Sequence, residues 1–185
     1  MLYGLMLKRR IGTAVAASAL GGVAAVSDVE AALFALWLAT LAAVSWCDLR
    51  TRRIPTGIVN PATVIGAAAL GATAWRVGTG ARLGAAAATA AAAYAAFALL
   101  HALNPGGLGY GDVRLSGLLG LFLGWLGPAA MPAGTLLGAA GAALAALVML
   151  LSRRDRRSTL PFGPFLAAGA ATVALLHSAA PLGFG

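Results

Sequence analysis

Residues 83–103 read LGAAAATAAAAYAAFALLHAL, an apolar run without a charged side chain. An α-helix of about 20 such residues spans the hydrocarbon core of a bilayer. Short charged or Gly/Pro-rich breaks separate this run from further apolar runs at about 11–26, 30–47, 58–75, 112–128, 132–151 and 162–180. The sequence therefore predicts an all-α fold, a polytopic membrane helix bundle of about seven transmembrane helices, or about six if the first is cleaved or does not span.

The composition excludes an ordinary soluble domain. Of the 185 residues, 61% are hydrophobic and 10% are charged, and the mean hydropathy is +0.89. In a soluble protein the net charge of +8 would suggest nucleic-acid binding, but here we expect it to face anionic membrane lipids, with no nucleic acid as a partner. The single cysteine, Cys47, excludes an internal disulfide framework and any metal site built from paired cysteines.

The domain organisation is predicted to be simple. We expect one membrane-embedded domain over 1–185, in which 1–29 form a basic segment and the first span and 30–180 form the core. A cleaved signal peptide is an alternative interpretation of the first run, because basic residues precede it at Lys8, Arg9 and Arg10. An uncleaved signal-anchor helix is preferred, since the next apolar run follows almost at once.

The distribution of basic residues predicts the orientation, because cytoplasmic loops are enriched in Lys and Arg. With the N-terminus in the cytoplasm, the breaks at 48–57, 104–111 and 152–161 lie on the cytoplasmic side. Among the basic residues of the sequence, only Arg76 and Arg82 then lie outside. The sequence therefore predicts a multi-pass protein whose N-terminus and three principal loops are cytoplasmic.

Two acidic residues at span edges require an explanation, because a charge near the bilayer interior costs about 2.5 to 3.5 kcal/mol. Asp48 closes the second span and Asp112 opens the fifth, both at the cytoplasmic boundary. Two close carboxylates share one proton, so that one acts as a base on water and the other as an acid on a peptide carbonyl. This chemistry requires neither a metal nor a cofactor. An ion pair of Asp48 with Arg52 and a helix N-cap at Asp112 are the structural alternatives.

The other acidic residues have simpler explanations. Asp28 and Glu30 fit a solvated outer turn. Asp155 fits a loop in which neighbouring arginines compensate its charge. These residues are therefore not candidates for catalysis.

A glycine-rich loop precedes Asp112. Asn104 and Pro105 are expected to end the fourth span, because proline lacks a backbone donor and restricts the residue before it. Tight, left-handed or closely approached backbone is then allowed at Gly106, Gly107, Gly109 and Gly111. We expect an extended peptide to bind along this loop, the alternative being a plain flexible connector.

Three stretches carry a family resemblance. Residues 48–55 read DLRTRRIP, residues 107–115 read GLGYGDVRL and residues 160–166 read LPFGPFL. In this order they resemble the type IV prepilin peptidases, intramembrane aspartyl proteases with a GxGD motif, over roughly residues 30–180. The resemblance implies that Asp48 and Asp112 are the catalytic pair. It also points to substrate-binding or loop-shaping roles for Gly107, Gly109, Tyr110, Gly111, Pro161, Phe162 and Gly163.

The resemblance also implies a substrate and a location. Prepilin-like precursors with a basic leader, a glycine before the scissile bond and a hydrophobic helix after it would be cleaved at the cytoplasmic face of a bacterial inner membrane. Components of a pilus or secretion assembly are further expected partners. Long family members carry a cysteine-containing cytoplasmic insert and also methylate the new amine. The N-terminal region here has only Cys47, so N-methyltransferase activity is not expected.

Alternative functions remain open at this stage. Asp48 and Asp112 also suit a small transporter or channel, although few polar residues lie within the spans to line a path. A catalytically inactive scaffold of a pilus or secretion complex is a third interpretation. A cysteine protease using Cys47 and His101 is disfavoured, because adjacent helical positions point about 100° apart and Cys47 adjoins Asp48.

Several other residues receive structural interpretations. Arg114 is expected to point away from Asp112, since two helical residues differ by about 200°. Phe162 is predicted to pack rather than to line a cleft. The tryptophans near span ends fit an interfacial aromatic belt, at Trp46, Trp75 and Trp125.

Overall fold

The computed structural model describes residues 28–104, 106–152 and 161–179, and the regular elements within these ranges are α-helices. In chain order they are α1 (Asp28–Thr51), α2 (Thr56–Val77), α3 (Gly80–Leu103), α4 (Tyr110–Leu126), α5 (Ala130–Leu151) and α6 (Gly163–Ala179). Each helix begins and ends within a few residues of a predicted apolar run. The predicted first span at 11–26, like Asp155 and Pro105, lies outside the described residues.

The length and composition of the helices identify a membrane protein. Helices α1, α2, α3 and α5 are long and apolar enough to cross a bilayer. Helices α4 and α6 are shorter, with 17 residues each. The predicted all-α, polytopic membrane helix bundle is therefore confirmed over the described residues.

Successive helices run in opposite directions, so helix starts and helix ends meet at each of the two ends of the bundle. Arg82, in the first turn of α3, pairs with Glu30 at the start of α1 at 3.2 Å. The Arg82 Nε also donates to the Trp125 carbonyl oxygen at the end of α4, at 3.2 Å. We name this side the Asp28 end. The opposite side, which holds the end of α1 and the starts of α2, α4 and α6, is the Asp48 end.

Helix α4 forms the centre of the bundle. Most of its side chains are buried, and it packs against α2, α3, α5 and α6. An aromatic contact joins it to α1, because the Trp37 ring stacks on Phe122 with centroids 5.2 Å apart. Phe34 meets Phe122 edge-on, with centroids 5.4 Å apart. Asp112, in the first turn of this central helix, is thereby held at a fixed position within the bundle.

Close helix contacts depend on small residues, as is usual in membrane bundles. A Cβ placed on Gly120 of α4 would lie 2.8 Å from the Ala90 Cα atom of α3. A Cβ on Gly138 of α5 would lie 2.6 Å from the Phe165 carbonyl oxygen of α6. Backbone therefore packs directly on backbone at both helix pairs, which fixes the starts of α4 and α6 relative to the rest of the bundle.

The predicted aromatic belt is wrong for one of its three members. Trp46 and Trp75 are exposed, at 58% and 90%, as an interfacial position requires. Trp125 is only 1% exposed, and the Arg82 guanidinium lies 4.6 Å from its ring centroid. Helix α4 is surrounded by other helices, so a tryptophan at its end faces protein rather than lipid.

Candidate active site

Asp48 lies in the last turn of α1, where the chain reverses into α2. Its side chain is buried, with 6% exposed. Arg52 follows the last residue of the helix and has a φ of 52°, in the left-handed region that a non-glycine residue rarely adopts. Its N–H donates to the Asp48 carbonyl oxygen at 2.7 Å. This tight reversal leads into Ile54 and Pro55, which directly precede α2.

Asp112 lies in the first turn of α4 and is 8% exposed. Gly109 is the N-cap residue of this helix. The Asp112 N–H donates to the Gly109 carbonyl oxygen at 3.0 Å, and the Gly109 N–H donates back to the Asp112 carboxyl group. This reciprocal pair resembles a capping box. The N-cap alternative for Asp112 is therefore wrong, because its carboxyl group serves the third helical position and binds back to the cap.

The third stretch of sequence, residues 160–166, reaches Asp48 through the start of α6. The Gly163 N–H, at the start of α6, donates to the Asp48 carboxyl group. A Cβ built on Gly163 would lie 2.8 Å from Asp48 Oδ2 and 3.1 Å from Ile54 Cδ1. Asp48 thus binds the N-terminus of a helix that begins more than a hundred residues later in the chain.

Ile54 joins the two acidic residues. On one side it lies beside Gly163, and on the other a Cβ built on Gly111 would lie 2.6 Å from the Ile54 Cβ atom. Gly111 immediately precedes Asp112 in the sequence. Asp48 is close enough for its charge to act on Asp112. The structure therefore brings together the three sequence stretches that carried the family resemblance.

The two Asp112 oxygens differ in their surroundings. A Cβ built on Gly109 would lie 3.2 Å from Oδ2, which places that oxygen beside the N-cap. Oδ1 is buried and has no hydrogen-bond partner among the described residues. A buried oxygen of this kind is costly unless water or a ligand completes it.

Comparisons with known proteins cover most of the chain. A family model described as "Type IV leader peptidase family" matches residues 32–151. The chain belongs to this family. Two Burkholderia pseudomallei proteins, from strains 1026b and K96243, are each 38% identical to it over 170 residues. Both bear the name prepilin leader peptidase/N-methyltransferase.

The extent of these matches is uneven. The aligned region covers 87% of this chain but 52% of each relative, so the chain spans about half the length of the curated relatives it matches. No solved structure matches the chain. The family match includes Asp48 and Asp112 and ends before Pro161.

In this type IV leader peptidase family member, the glycines before Asp112 act by close approach rather than by left-handed backbone. Among the described residues, the glycines with positive φ are Gly78 and Gly127. Gly109 is extended, with φ −71° and ψ 145°. A Cβ on Gly107 would meet the Asn104 side chain, whereas Gly106 has open space around it. Of the backbone alternatives that the sequence allowed for this loop, the structure therefore has close approach, at Gly107, Gly109 and Gly111, and not the left-handed conformation.

The remaining predicted site residues of this family member lie at the Asp48 end of the bundle. Tyr110 is 47% exposed, with its hydroxyl 2.9 Å from that of Tyr94. Arg114 lies with its guanidinium 5.1 Å from the Tyr110 ring centroid. Pro161 and Phe162 are half-buried before α6, and Phe162 packs against the hydrophobic core.

Sequence reasoning missed one contact at this site. His101 Nδ1 lies 2.7 Å from the Leu108 carbonyl oxygen, which ties the last turn of α3 to the loop before Asp112. The only signal in the sequence is the short distance between a histidine at a helix end and the glycine-rich loop. Within the described residues, no group of three or more His, Cys, Asp or Glu side chains could hold a metal ion.

Proposed function

We propose that this protein is a membrane aspartic endopeptidase that cleaves the basic leader of type IV prepilin-like precursors. Asp48 and Asp112 are the proposed catalytic residues. The observation that carries the proposal is the arrangement of these two carboxyl groups. Both are more than nine-tenths buried, they interact electrostatically, and one oxygen of Asp112 lacks a partner among the described residues.

The proposed mechanism uses a proton shared by the pair. Two close, buried carboxylates repel each other when both are ionised, so one proton between them lowers the energy. The ionised member removes a proton from a water molecule, whose oxygen bonds to the peptide carbonyl carbon. The protonated member donates its proton to the carbonyl oxygen. When the C–N bond breaks, the amine takes a proton from the protonated member of the pair, and one hydroxyl of the tetrahedral intermediate returns its proton to the ionised member as the new carboxyl group forms.

The membrane position of the site supports the proposed substrate. Asp48 and Asp112 lie at the ends of apolar helices, where a substrate with a polar leader followed by an apolar helix would place its junction. The names of the Burkholderia pseudomallei relatives include the leader peptidase activity. We extend only that activity to this chain.

The proposal includes a location and a domain organisation. We place the protein in a bacterial inner membrane with the N-terminus and the site cytoplasmic, as a single peptidase domain over 1–185 whose family-like core is 30–180. Anionic lipids are the proposed neighbours of its basic loops. Components of a pilus or secretion assembly are further proposed partners.

The experiment that tests the proposal uses purified protein in liposomes and a prepilin-like precursor with a glycine before its apolar segment. Cleavage is followed by mass spectrometry. We expect Asp48→Asn and Asp112→Asn each to lower turnover by at least about 1,000-fold, because the residues of a catalytic unit act together. Near-normal turnover by either variant would exclude the carboxylate pair.

Asp28→Asn is the matched control. It makes the same change in an exposed aspartate at the opposite end of α1, and we expect wild-type turnover. Circular dichroism of all three variants verifies that the helices remain folded. A wild-type protein that binds the precursor without cleaving it would support the scaffold interpretation instead.

A further inference from the structure

One peptide group connects α3 to Asp112. The peptide bond between Leu108 and Gly109 has hydrogen bonds at both of its ends. Its carbonyl oxygen lies 2.7 Å from His101 Nδ1, and its N–H donates to the Asp112 carboxyl group. The imidazole and the carboxyl group are therefore joined through a single planar unit.

The chemistry of this contact fixes the histidine tautomer. A carbonyl oxygen can only accept, so the Nδ1 atom of His101 carries the proton and donates it. His101 is half-buried in the last turn of α3. Its ring also lies 5.6 Å from the Tyr110 ring, measured between centroids. The side chain is thus held between the loop and the start of α4.

The rest of the loop restricts the same peptide group. The Gly107 N–H donates to the Asn104 carbonyl oxygen at 3.0 Å, and the Leu108 N–H donates to it at 3.4 Å. The Leu108 side chain packs against the hydrophobic core. These contacts fix the position of Leu108, while the His101 contact fixes the rotation of the peptide plane that follows it.

The rotation of that plane has a consequence for Asp112. The Gly109 N–H binds the carboxyl group, and Oδ2 is the oxygen that lies against Gly109. Oδ1 is the oxygen with no partner among the described residues. The orientation of the Gly109 N–H therefore selects which oxygen is held by the protein and which is left for water or substrate. Hydrogen bonds in series also polarise and strengthen one another.

We infer that His101 is a positioning residue for Asp112, acting through the Leu108–Gly109 peptide group. It orients the Gly109 N–H and thereby holds the Asp112 carboxyl group in one rotamer, with Oδ1 directed away from the cap. His101 itself does not touch the substrate. The inference rests on the proposed peptidase function, because it assigns a role within that site.

A matched pair of substitutions tests the inference. His101→Asn places an amide nitrogen the same number of bonds from Cα as Nδ1, and His101→Leu has the same branched shape without a donor. We expect His101→Leu to lower kcat about tenfold with KM nearly unchanged, since one hydrogen bond is worth about that factor. We expect His101→Asn to retain kcat within about threefold of wild type.

The control is His177→Leu, which removes the histidine at the Asp28 end and should not change kcat. A wild-type kcat for His101→Leu would overturn the inference. Equal losses in the Leu and Asn variants would also overturn it, because the lost donor would then not be the cause. A rise in KM without a fall in kcat would indicate a role in binding and count against positioning.

A measurement without activity separates this inference from the proposed function. Nuclear magnetic resonance of the protein with ¹⁵N-labelled histidine reports which ring nitrogen of neutral His101 carries the proton. We expect Nδ1, and a proton on Nε2 would contradict the inference even if cleavage occurs. If His101→Leu fails to fold, this readout still tests the contact on which the inference depends, because a proton on Nε2 would leave Nδ1 without a donor for the Leu108 carbonyl oxygen. If wild-type protein does not cleave the precursor while His101 carries its proton on Nδ1, the proposed function fails and the structural contact stands.

Discussion

Gly111 and Gly163 lie on opposite sides of Ile54 at the Asp48 end, and both positions depend on the missing Cβ atom. For Gly111 the distance from an added Cβ to the Ile54 Cβ atom would be 2.6 Å. Because the Ile54 Cβ is fixed to its backbone, the clash cannot be relieved by rotating a side chain. We therefore expect Gly111→Ala to push the 52–55 turn away from α4 and to lower turnover at least about tenfold, since small displacements at a catalytic site are costly.

Gly57→Ala provides the matched comparison for Gly111→Ala. Gly57 is likewise the second residue of its helix, and an added Cβ there has no atom within 4 Å. Alanine favours the helix by about 1 kcal/mol over glycine, so stability should rise slightly and turnover should stay unchanged. Equal losses in the two variants, measured as kcat on the same precursor, would refute the role of the Ile54 contact.

Cys47 tests whether a thiol takes part in catalysis in place of the aspartate pair, because it adjoins Asp48 and is half-buried. We expect Cys47→Ser to keep turnover within about twofold of wild type, since the two side chains point about 100° apart on the helix. Resistance of the wild-type enzyme to thiol-modifying reagents provides a second measurement. Abolished turnover in Cys47→Ser alone would contradict the aspartate pair.

At the level of residues, the sequence predicted which positions lie close together in the fold, but not the contacts that bring them together. The sequence stretches around Asp48, Asp112 and Gly163 marked residues that the structure places together, while the catalytic role of the two aspartates stays a prediction. The sequence allowed left-handed or closely approached backbone in the glycine loop, and the structure has close approach, to nearby residues at Gly107 and Gly109 and to Ile54 at Gly111. The contact between Gly111 and Ile54 depends on tertiary packing and leaves no local pattern. The contact between His101 and Leu108 spans seven residues, and it depends on how the loop folds back on α3.

At the level of helices, hydropathy predicted the number and limits of the described elements well, because about 20 apolar residues in sequence form one span. It could not distinguish α4 from its neighbours. A helix buried among helices and a helix facing lipid have the same apolar composition, so the central position of α4 was not predictable. The burial of Trp125 follows from that position and was mistaken for the same reason.

The contact between α3 and α4 depends on Gly120. An alanine Cβ there would lie 2.8 Å from Ala90 Cα and 2.9 Å from the Thr89 carbonyl oxygen, both backbone atoms of α3. We expect Gly120→Ala to lower the free energy of unfolding by about 1 to 3 kcal/mol, the usual cost of overpacking. Unfolding in mixed detergent micelles, followed by circular dichroism, measures the change.

The corresponding control is Gly84→Ala on α3 itself, where an added Cβ has no atom within 4 Å. Because alanine has a higher helix propensity than glycine, this substitution should leave the free energy of unfolding unchanged or raise it by up to about 1 kcal/mol. If Gly120→Ala were as stable as Gly84→Ala, direct backbone packing would not be what sets the position of α4.

At the level of the whole molecule, the two ends of the bundle differ in charge. At the Asp28 end, Arg76 and Arg82 are offset by Asp28 and Glu30, and Arg82 is paired with Glu30. The Asp48 end has an excess of arginines, which are Arg50, Arg52, Arg53 and Arg114. The rule that positive loops stay in the cytoplasm therefore predicts that both carboxyl groups face the cytoplasm.

This orientation can be tested with single cysteines in a Cys47→Ser background. Thr56 begins α2 at the Asp48 end and Gly80 begins α3 at the Asp28 end, and both are exposed. Neither Thr56→Cys nor Gly80→Cys changes a charge, so neither biases the orientation itself. We expect a membrane-impermeant maleimide to label Gly80→Cys in spheroplasts and to label Thr56→Cys only after permeabilisation. The reverse pattern would place Asp48 and Asp112 outside, where a precursor whose basic leader stays in the cytoplasm would never present its junction to them.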